Sequence, residues 1–463
     1  MTDVPTWLSA VLMIAVILAA VIVWRALPEL RRWPPALGLM LACGTIIPSH
    51  DTLGVGVGTD DVPLLLGLLV LLACALRSAR HGPVELPRVP FARMALVGVA
   101  LLASGMVVSA FVNAEQLEPT VSMLIRGAGR VVLYLVVVLA ILAQRPLAMV
   151  RTVVAGSLVT VACVESAVSL VSYTVGLPGD FGLEPARGGS GLLGEIPGRA
   201  TGTLGLSSNF LGALLVLTIP VTLGLALRYA GRARWLLLAA AAGQLVTMVL
   251  TYTRASLAVT AAACLLLLGL RGRLRWLAGG VALLVLLLVA TPALHRMMDG
   301  STDRLALYTS AIKVFGDHPV AGVGPGEQAN VTAAAPARYR ATNFGVAANN
   351  AHNTVLLAAA EDGVLGGAGA LLLNVAIVGV AVTVLTRARR ARGRPDSDEA
   401  LAIGVAVLAF LAQGMTNNLF TVTLTATALV LLLAGCGWPW LAAGGLGPAG
   451  GSTNSSGAVG RIR

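Results

Sequence analysis

The chain has 463 residues, 57% of them hydrophobic and 11% charged, with a mean hydropathy of +0.86. That composition excludes a water-soluble globular domain and points to a polytopic membrane protein. The net charge of +11 would draw a soluble protein to nucleic acid, but lysine occurs once, at Lys313, and the arginines fall in short clusters between apolar stretches, so membrane lipids and no nucleic acid are the expected surroundings.

Hydropathy and length predict spans near residues 6–26, 36–48, 62–76, 91–112, 122–143, 149–175, 204–227, 234–251, 255–270, 275–291, 354–386, 400–416 and 421–441. The first, from Trp7 to Ala26, lacks a basic leader and a small-residue cleavage pattern, so it reads as a span and not a signal peptide. Cys43, Cys74, Cys163, Cys264 and Cys436 lie within apolar segments without paired spacing, which argues against a disulfide framework or a zinc site. Arginine clusters mark every second boundary: Arg25 to Arg32, Arg77 to Arg93, Arg145 and Arg151, Arg228 to Arg234, Arg271 to Arg275, Arg387 to Arg394, and the terminal Arg461 and Arg463. By the positive-inside rule these face the cytoplasm, giving 22 basic and 5 acidic residues inside against 10 and 16 elsewhere. The clusters need no protein partner on this reading, although Arg387 to Arg394 can meet anionic headgroups.

The expected fold is an all-α polytopic membrane helix bundle of about 12–13 spans with one long extracytoplasmic loop. Residues 1–291 hold spans 1–10, 292–352 the loop with an amphipathic helix, 353–444 spans 11–13, and 445–463 a glycine- and serine-rich disordered tail. Twelve spans instead of thirteen require 36–48 or the last segment to be re-entrant.

The outer side carries the chemistry. Arg126 and Arg130 are four apart and so share a helical face near the outer end of the fifth span, where snorkelling to the interface is the alternative use. Arg199 precedes an apolar helix that Ser207, Ser208 or Asn209 can cap, and Arg254 lies in the tight bend TYTRAS. Arg304 starts an amphipathic segment in which Leu305, Tyr308, Ile312 and Phe315 form a stripe, read as a packing face. Several arginines at outer helix ends point to a polyanion, because a guanidinium forks onto phosphate oxygens and helix N-termini add backbone donors. An apolar body joined to such an anion makes a lipid-linked phosphate or diphosphate.

Three of the five histidines lie in the long polar stretch 292–352. His352, in NNAHNTVLLAAAEDGVLG, stands where that stretch enters the eleventh span, and an imidazole there can take a proton from an attacking hydroxyl or simply hydrogen-bond the helix end. Nine residues on, Glu361 is expected about 13 Å deeper, beside Asp362, where a salt bridge to an arginine would relieve the cost of burial. Glu165 is a second intramembrane acid, inside the sixth span, with no partner evident in the sequence. Gly322, Gly324 and Gly326 form a GxGxG without a βαβ unit around it, so a turn passing close to another element is expected, not a dinucleotide site.

Four stretches, GRATGTLGLSSNFLGALLVLTIP, TYTRAS, DRLALYTSAIKVFGDHPVAGVGPGEQ and AHNTVLLAAAEDGVLG, together resemble in order and spacing the signature regions of the O-antigen ligase and polymerase family of bacterial membrane glycosyltransferases. The close resemblance covers about residues 195–380. It implies a membrane bundle of about a dozen spans with one long extracytoplasmic loop between late spans. It also implies transfer of a glycan from an undecaprenyl diphosphate carrier to a glycan or lipid acceptor, without metal or other cofactor, outside the cytoplasm. By resemblance Arg199 and Arg254 hold the diphosphate, His352 activates the acceptor, and Arg304 matches a recurrent loop arginine. Arg126, Arg130, Glu165 and Glu361 rest on the residue-level argument alone. The Tyr308 position frequently holds tryptophan in the family. The competing class is a membrane transporter of a small anionic solute or lipid-linked glycan, to which intramembrane acids and short broken spans are also suited.

Overall fold

The computed structural model describes residues 6–44, 61–80, 82, 89–114, 121, 124–176, 183–184, 190–191, 194–195, 198–204, 207–272, 302–339, 351–394, 397–419 and 423–437. The expected span at 275–291, the parts of the long loop at 292–301 and 340–350, and the tail at 445–463 lie outside the described residues.

The described chain is an all-α membrane bundle. Its α-helices longer than four residues are α1 (Thr6–Ala26), α2 (Pro35–Cys43), α3 (Asp61–Ala79), α4 (Ala92–Val112), α5 (Arg130–Leu142), α6 (Leu147–Thr174), α7 (Ser208–Arg228), α8 (Gly231–Leu250) and α9 (Arg254–Leu270). They continue with α10 (Thr302–Asp317), α11 (Gln328–Ala334), α12 (Thr354–Arg390), α13 (Ser397–Gly414) and α14 (Thr423–Leu431). Seven helices are long and apolar enough to cross a membrane, and four shorter apolar ones accompany them among the described residues. Two minimal antiparallel strand pairs, including Leu183–Glu184 with Arg199–Ala200, lie between α6 and α7.

The bundle is built around α7 and α13, whose apolar windows are 83% and 78% buried, against 22% for α8. The peripheral helices instead expose large apolar side chains, such as Leu69 and Trp235, as lipid-facing surfaces do. Where helices must touch backbone to backbone, the sequence supplies glycine. On α4 and α12, Gly98, Gly105, Gly366 and Gly369 interleave, and a Cβ on Gly369 would stand 2.3 Å from the Leu102 nitrogen. The predicted second span is the nine-residue α2, which crosses α3 at Gly38 and Gly67.

One end of α13 corrects the reading that the basic clusters need no partner. Arg151 lies 3.4 Å from Glu399, Arg228 pairs with the same carboxylate, Arg271 pairs with Asp398, and the Arg392 guanidinium donates to the Leu270 carbonyl at 2.8 Å. Arginines from three different predicted cytoplasmic connections are thus gathered on the first turn of α13, with Glu399 only 1% exposed. The reason is physical: ionic groups this close to a packed helix bundle are retained when paired.

The predicted eleventh span is not one continuous rod. Within α12 the backbone at Gly363 leaves helical geometry (φ 68°, ψ −160°). Residues 364–386 after the break measure roughly 34 Å and suffice for a hydrocarbon core of about 30 Å. The section before it, Thr354–Asp362, packs with the loop: Ala311, Val314, Val323, Tyr339, Ala351, Leu357 and Ala360 form one small apolar core.

The stripe expected on α10 is also corrected. Its buried residues are Ala306, Ser310, Ala311 and Val314, whereas Leu305 is 70% and Ile312 56% exposed. The small face packs against α12; of the expected stripe Leu305 and Ile312 point away, while Tyr308 and Phe315 are half-buried.

Candidate functional site

The segment carrying Arg199 is pinned from below by two side chains of α6. The Tyr173 hydroxyl donates to the Gly198 carbonyl at 2.6 Å, and the fully buried Glu165 carboxylate accepts from the Thr203 amide at 2.7 Å and the Thr203 hydroxyl at 2.6 Å. Glu165 therefore has a partner that the sequence did not reveal, on the far side of Arg199. Gly202 allows that contact: it adopts φ +63°, and a Cβ there would fall 2.0 Å from a Glu165 oxygen. Beyond this turn Ser207 caps α7, accepting from the Asn209 amide at 3.3 Å.

The Arg199 guanidinium is pinned as well. Nε donates to the Thr251 carbonyl at 3.1 Å, and Nη2 reaches the Thr253 hydroxyl at 3.3 Å and the Asn209 side-chain oxygen at 3.4 Å. The three residues Thr251–Thr253 are the whole connection between α8 and α9, and Arg254 is the first residue of α9. Tyr252 turns that corner with φ +49°, a conformation that non-glycine residues seldom take. Two arginines 55 positions apart in the chain are thus brought to one place by a direct contact between one and the residue preceding the other.

His352 occupies a similar corner, with φ +47°, immediately before α12. Asn353 caps that helix, its side-chain oxygen accepting from the Val355 and Leu356 amides at 3.0 and 3.1 Å. The Asn353 amide nitrogen also donates to the Met415 carbonyl at 3.4 Å, and the same carbonyl accepts from the Tyr308 hydroxyl at 2.5 Å. Two residues earlier, the Gln413 amide donates to the Ser256 hydroxyl of α9 at 2.8 Å. The carboxyl end of α13 therefore touches both the Arg254 helix and the turn that bears His352. This end lies opposite the ion pairs of Asp398 and Glu399, about 24 Å along the helix at 1.5 Å per residue.

The loop reaches this site by docking on the break in α12. A helix interrupted at Gly363 leaves carbonyls without their usual partners. The Ala360 carbonyl accepts from the Val323 amide at 3.1 Å, the Glu361 carbonyl from the Gly324 amide at 3.0 Å, and the Val364 amide donates to the Pro319 carbonyl at 2.8 Å. The Ser109 hydroxyl adds a 2.5 Å hydrogen bond to the Glu361 carbonyl. The GxGxG is thus a turn laid across another element, as its composition implies: a Cβ on Gly322 would lie 2.2 Å from the Glu361 oxygen. The expected arginine partner of Glu361 is not found among the described residues; its carboxylate instead accepts the Gln328 amide at 3.4 Å, at the start of α11. Farther out, the Arg338 guanidinium donates to Asp317 at 2.8 Å and holds that carboxyl below the usual range.

The remaining predicted arginines behave differently. Arg130 donates to both oxygens of the buried Asp61, at 3.1 and 3.4 Å, which ties α5 to α3 rather than to the Arg199 assembly. Arg126 lies in the π turn Ile125–Gly129 and Arg304 in the first turn of α10; their side chains lie outside the described residues. The π turn also breaks the four-residue spacing by which Arg126 and Arg130 were expected to share one face. Sequence reasoning missed Gln413, although a lone amide inside an apolar span is a usable signal. It also missed Tyr173 and Thr253, whose roles depend on contacts across the chain. Among the described residues no group of three or more His, Cys, Asp or Glu side chains is placed to hold a metal ion.

A comparison with curated proteins gave no match. Residues 236–371, which include Arg254, the described loop helices, His352 and the broken start of α12, match the sequence model of the O-antigen ligase family. This stretch of the chain is similar to O-antigen ligases, and it is set in a multi-pass membrane protein.

Proposed function

We propose that the protein transfers a glycan from an undecaprenyl diphosphate carrier to an acceptor hydroxyl or amine on the outer side of the cytoplasmic membrane, as a ligase or a surface polysaccharide polymerase. The observation that carries this reading is the pinning of Arg199 on the three-residue bend that begins the Arg254 helix, at the bundle end where His352 enters α12. The Arg199 guanidinium donates to the Thr251 carbonyl, the Thr253 hydroxyl and the Asn209 side-chain oxygen, and Arg254 begins the helix that follows Thr253.

In the reaction the acceptor oxygen attacks the anomeric carbon while His352 takes its proton, and the bond from that carbon to the diphosphate breaks with both electrons leaving on the phosphate oxygen. Arg199 and Arg254 stabilise the growing charge, the role a divalent ion fills in many other transferases, so the displacement is metal-independent and inverting. Arg304 and Arg126 serve as further donors to the headgroup. Glu165 acts through the Thr203 turn and Glu361 through the loop that covers the sugar. The carrier's tail lies among the apolar helices.

Reconstitution in liposomes with a carrier-linked glycan tests the reading. Product formation supports it, whereas solute flux without product would establish the transporter class instead. Arg199→Ala and Arg254→Ala are expected to weaken undecaprenyl diphosphate binding at least tenfold each, in line with loss of a charge-assisted hydrogen bond of about 1.5–3 kcal/mol. Unchanged affinity in both variants would rule out the clamp.

A further inference from the structure

We infer that the carboxyl end of α13 is a spacer that sets the distance between the diphosphate-holding arginines and the acceptor base, and that Gln413 is its positioning residue. This rests on the proposed function above and adds to it a residue that neither sequence signatures nor the loop assign.

Four observations meet at this short piece of chain. Gln413 is fully buried and donates to Ser256, two residues beyond Arg254 on α9. The Ser256 hydroxyl is seated against Gly212 of α7, where a Cβ would come within 2.5 Å of it, so three helices converge on one hydrogen bond. Two residues after Gln413, the Met415 carbonyl receives Asn353, the neighbour of His352, and Tyr308 of the loop helix. The turn that follows holds the buried Asn417, whose amide nitrogen has no hydrogen-bond partner among the described residues. A buried amide inside an apolar span is costly unless the geometry it enforces is needed. Here its effect is to fasten the donor half of the site, through α9, and the acceptor half, through Asn353, to the same residues 413–415. His352 reaches productive geometry only if that fastening holds, because its own corner is strained and its helix is broken eleven residues later.

The test uses the full chain in liposomes with a carrier-linked glycan and acceptor, measuring transfer at saturating donor and, separately, binding of undecaprenyl diphosphate. Gln413→Met keeps the volume and removes the hydrogen bond; transfer is expected to fall about tenfold while carrier affinity stays within about twofold. Gln413→Glu, which can accept from the Ser256 hydroxyl, is expected to restore most of the rate. Ser256→Ala removes the same bond from the other side, serves where Gln413→Met folds poorly, and should add nothing to it in the double variant. Transfer at the wild-type rate in Gln413→Met or Ser256→Ala overturns the inference, and so does a parallel loss of carrier binding that Gln413→Glu fails to restore. A wild-type protein that makes no product at all would instead overturn the functional reading, and this inference with it.

Discussion

Arg199 and the turn that bears His352 are held in place by their neighbours. Glu165 illustrates this. As an acid within α6 it has no partner evident in the sequence, yet it fixes the Thr203 turn beyond Arg199 through two hydrogen bonds. Gly202→Ala should therefore cost about 1–3 kcal/mol of thermal stability in detergent, since the added methyl meets the Glu165 carboxylate in a left-handed backbone position. A melting temperature equal to wild type would mean that the turn is not held as described. Arg199, Arg254 and His352 stand out in the sequence because charged and titratable side chains are rare in so apolar a chain. The geometry joining them was not, since it is made by Thr251, Thr253 and Asn353, ordinary polar residues whose spacing in sequence says nothing of their meeting.

At the scale of elements, the break in α12 explains why the long loop is where it is. The helix frees two carbonyls and one amide at Gly363, and the strip from Pro319 to Gly324 takes all three. Gly363→Ala places a methyl 2.1 Å from the Val320 oxygen, so loop docking should fail: limited proteolysis within 319–327 should become faster, and transfer should fall at least tenfold. A protease-resistant, active variant would contradict this. The hydropathy pattern gave no hint of the break, because a single glycine among Gly363, Gly366 and Gly367 looks like those used for helix packing. The GxGxG strip did reveal a close crossing, through its spacing and the lack of any nucleotide-binding context. The outer latch of the loop should respond to acid. Arg338 holds the Asp317 carboxyl below its unfolded value of about 3.9, so the latch contributes fully above that value and is lost as pH falls through the lower, folded one. The pair is exposed, and the expected readout is correspondingly small: a modest rise in hydrogen exchange at the end of α10 below about pH 4, absent in Asp317→Asn.

Across the whole molecule, α13 joins two centres of unlike purpose. Its first turn gathers Arg151, Arg228 and Arg271 around Asp398 and Glu399, and its last turn carries Gln413 and Met415 toward the Arg254 helix and the His352 corner. The alternation of arginine clusters predicts that Arg151, Arg228 and Arg271 share one side of the membrane, and the fold groups them at one end of the bundle. Their pairing was hidden because the acids involved are only two, at the start of a span. Glu399→Ala leaves buried arginine charge behind and should destabilise the protein by about 3–5 kcal/mol, measurable as loss of folded protein after extraction. The fold class was thus readable from composition, while the central place of α13 required three-dimensional contacts. The account's central claim is the division of labour between arginines that hold the carrier and a histidine that activates the acceptor. The most direct measurement is glycan transfer by His352→Ala at wild-type abundance, with undecaprenyl diphosphate binding measured on the same protein. The account predicts transfer lost and binding retained; normal turnover in that variant would contradict it.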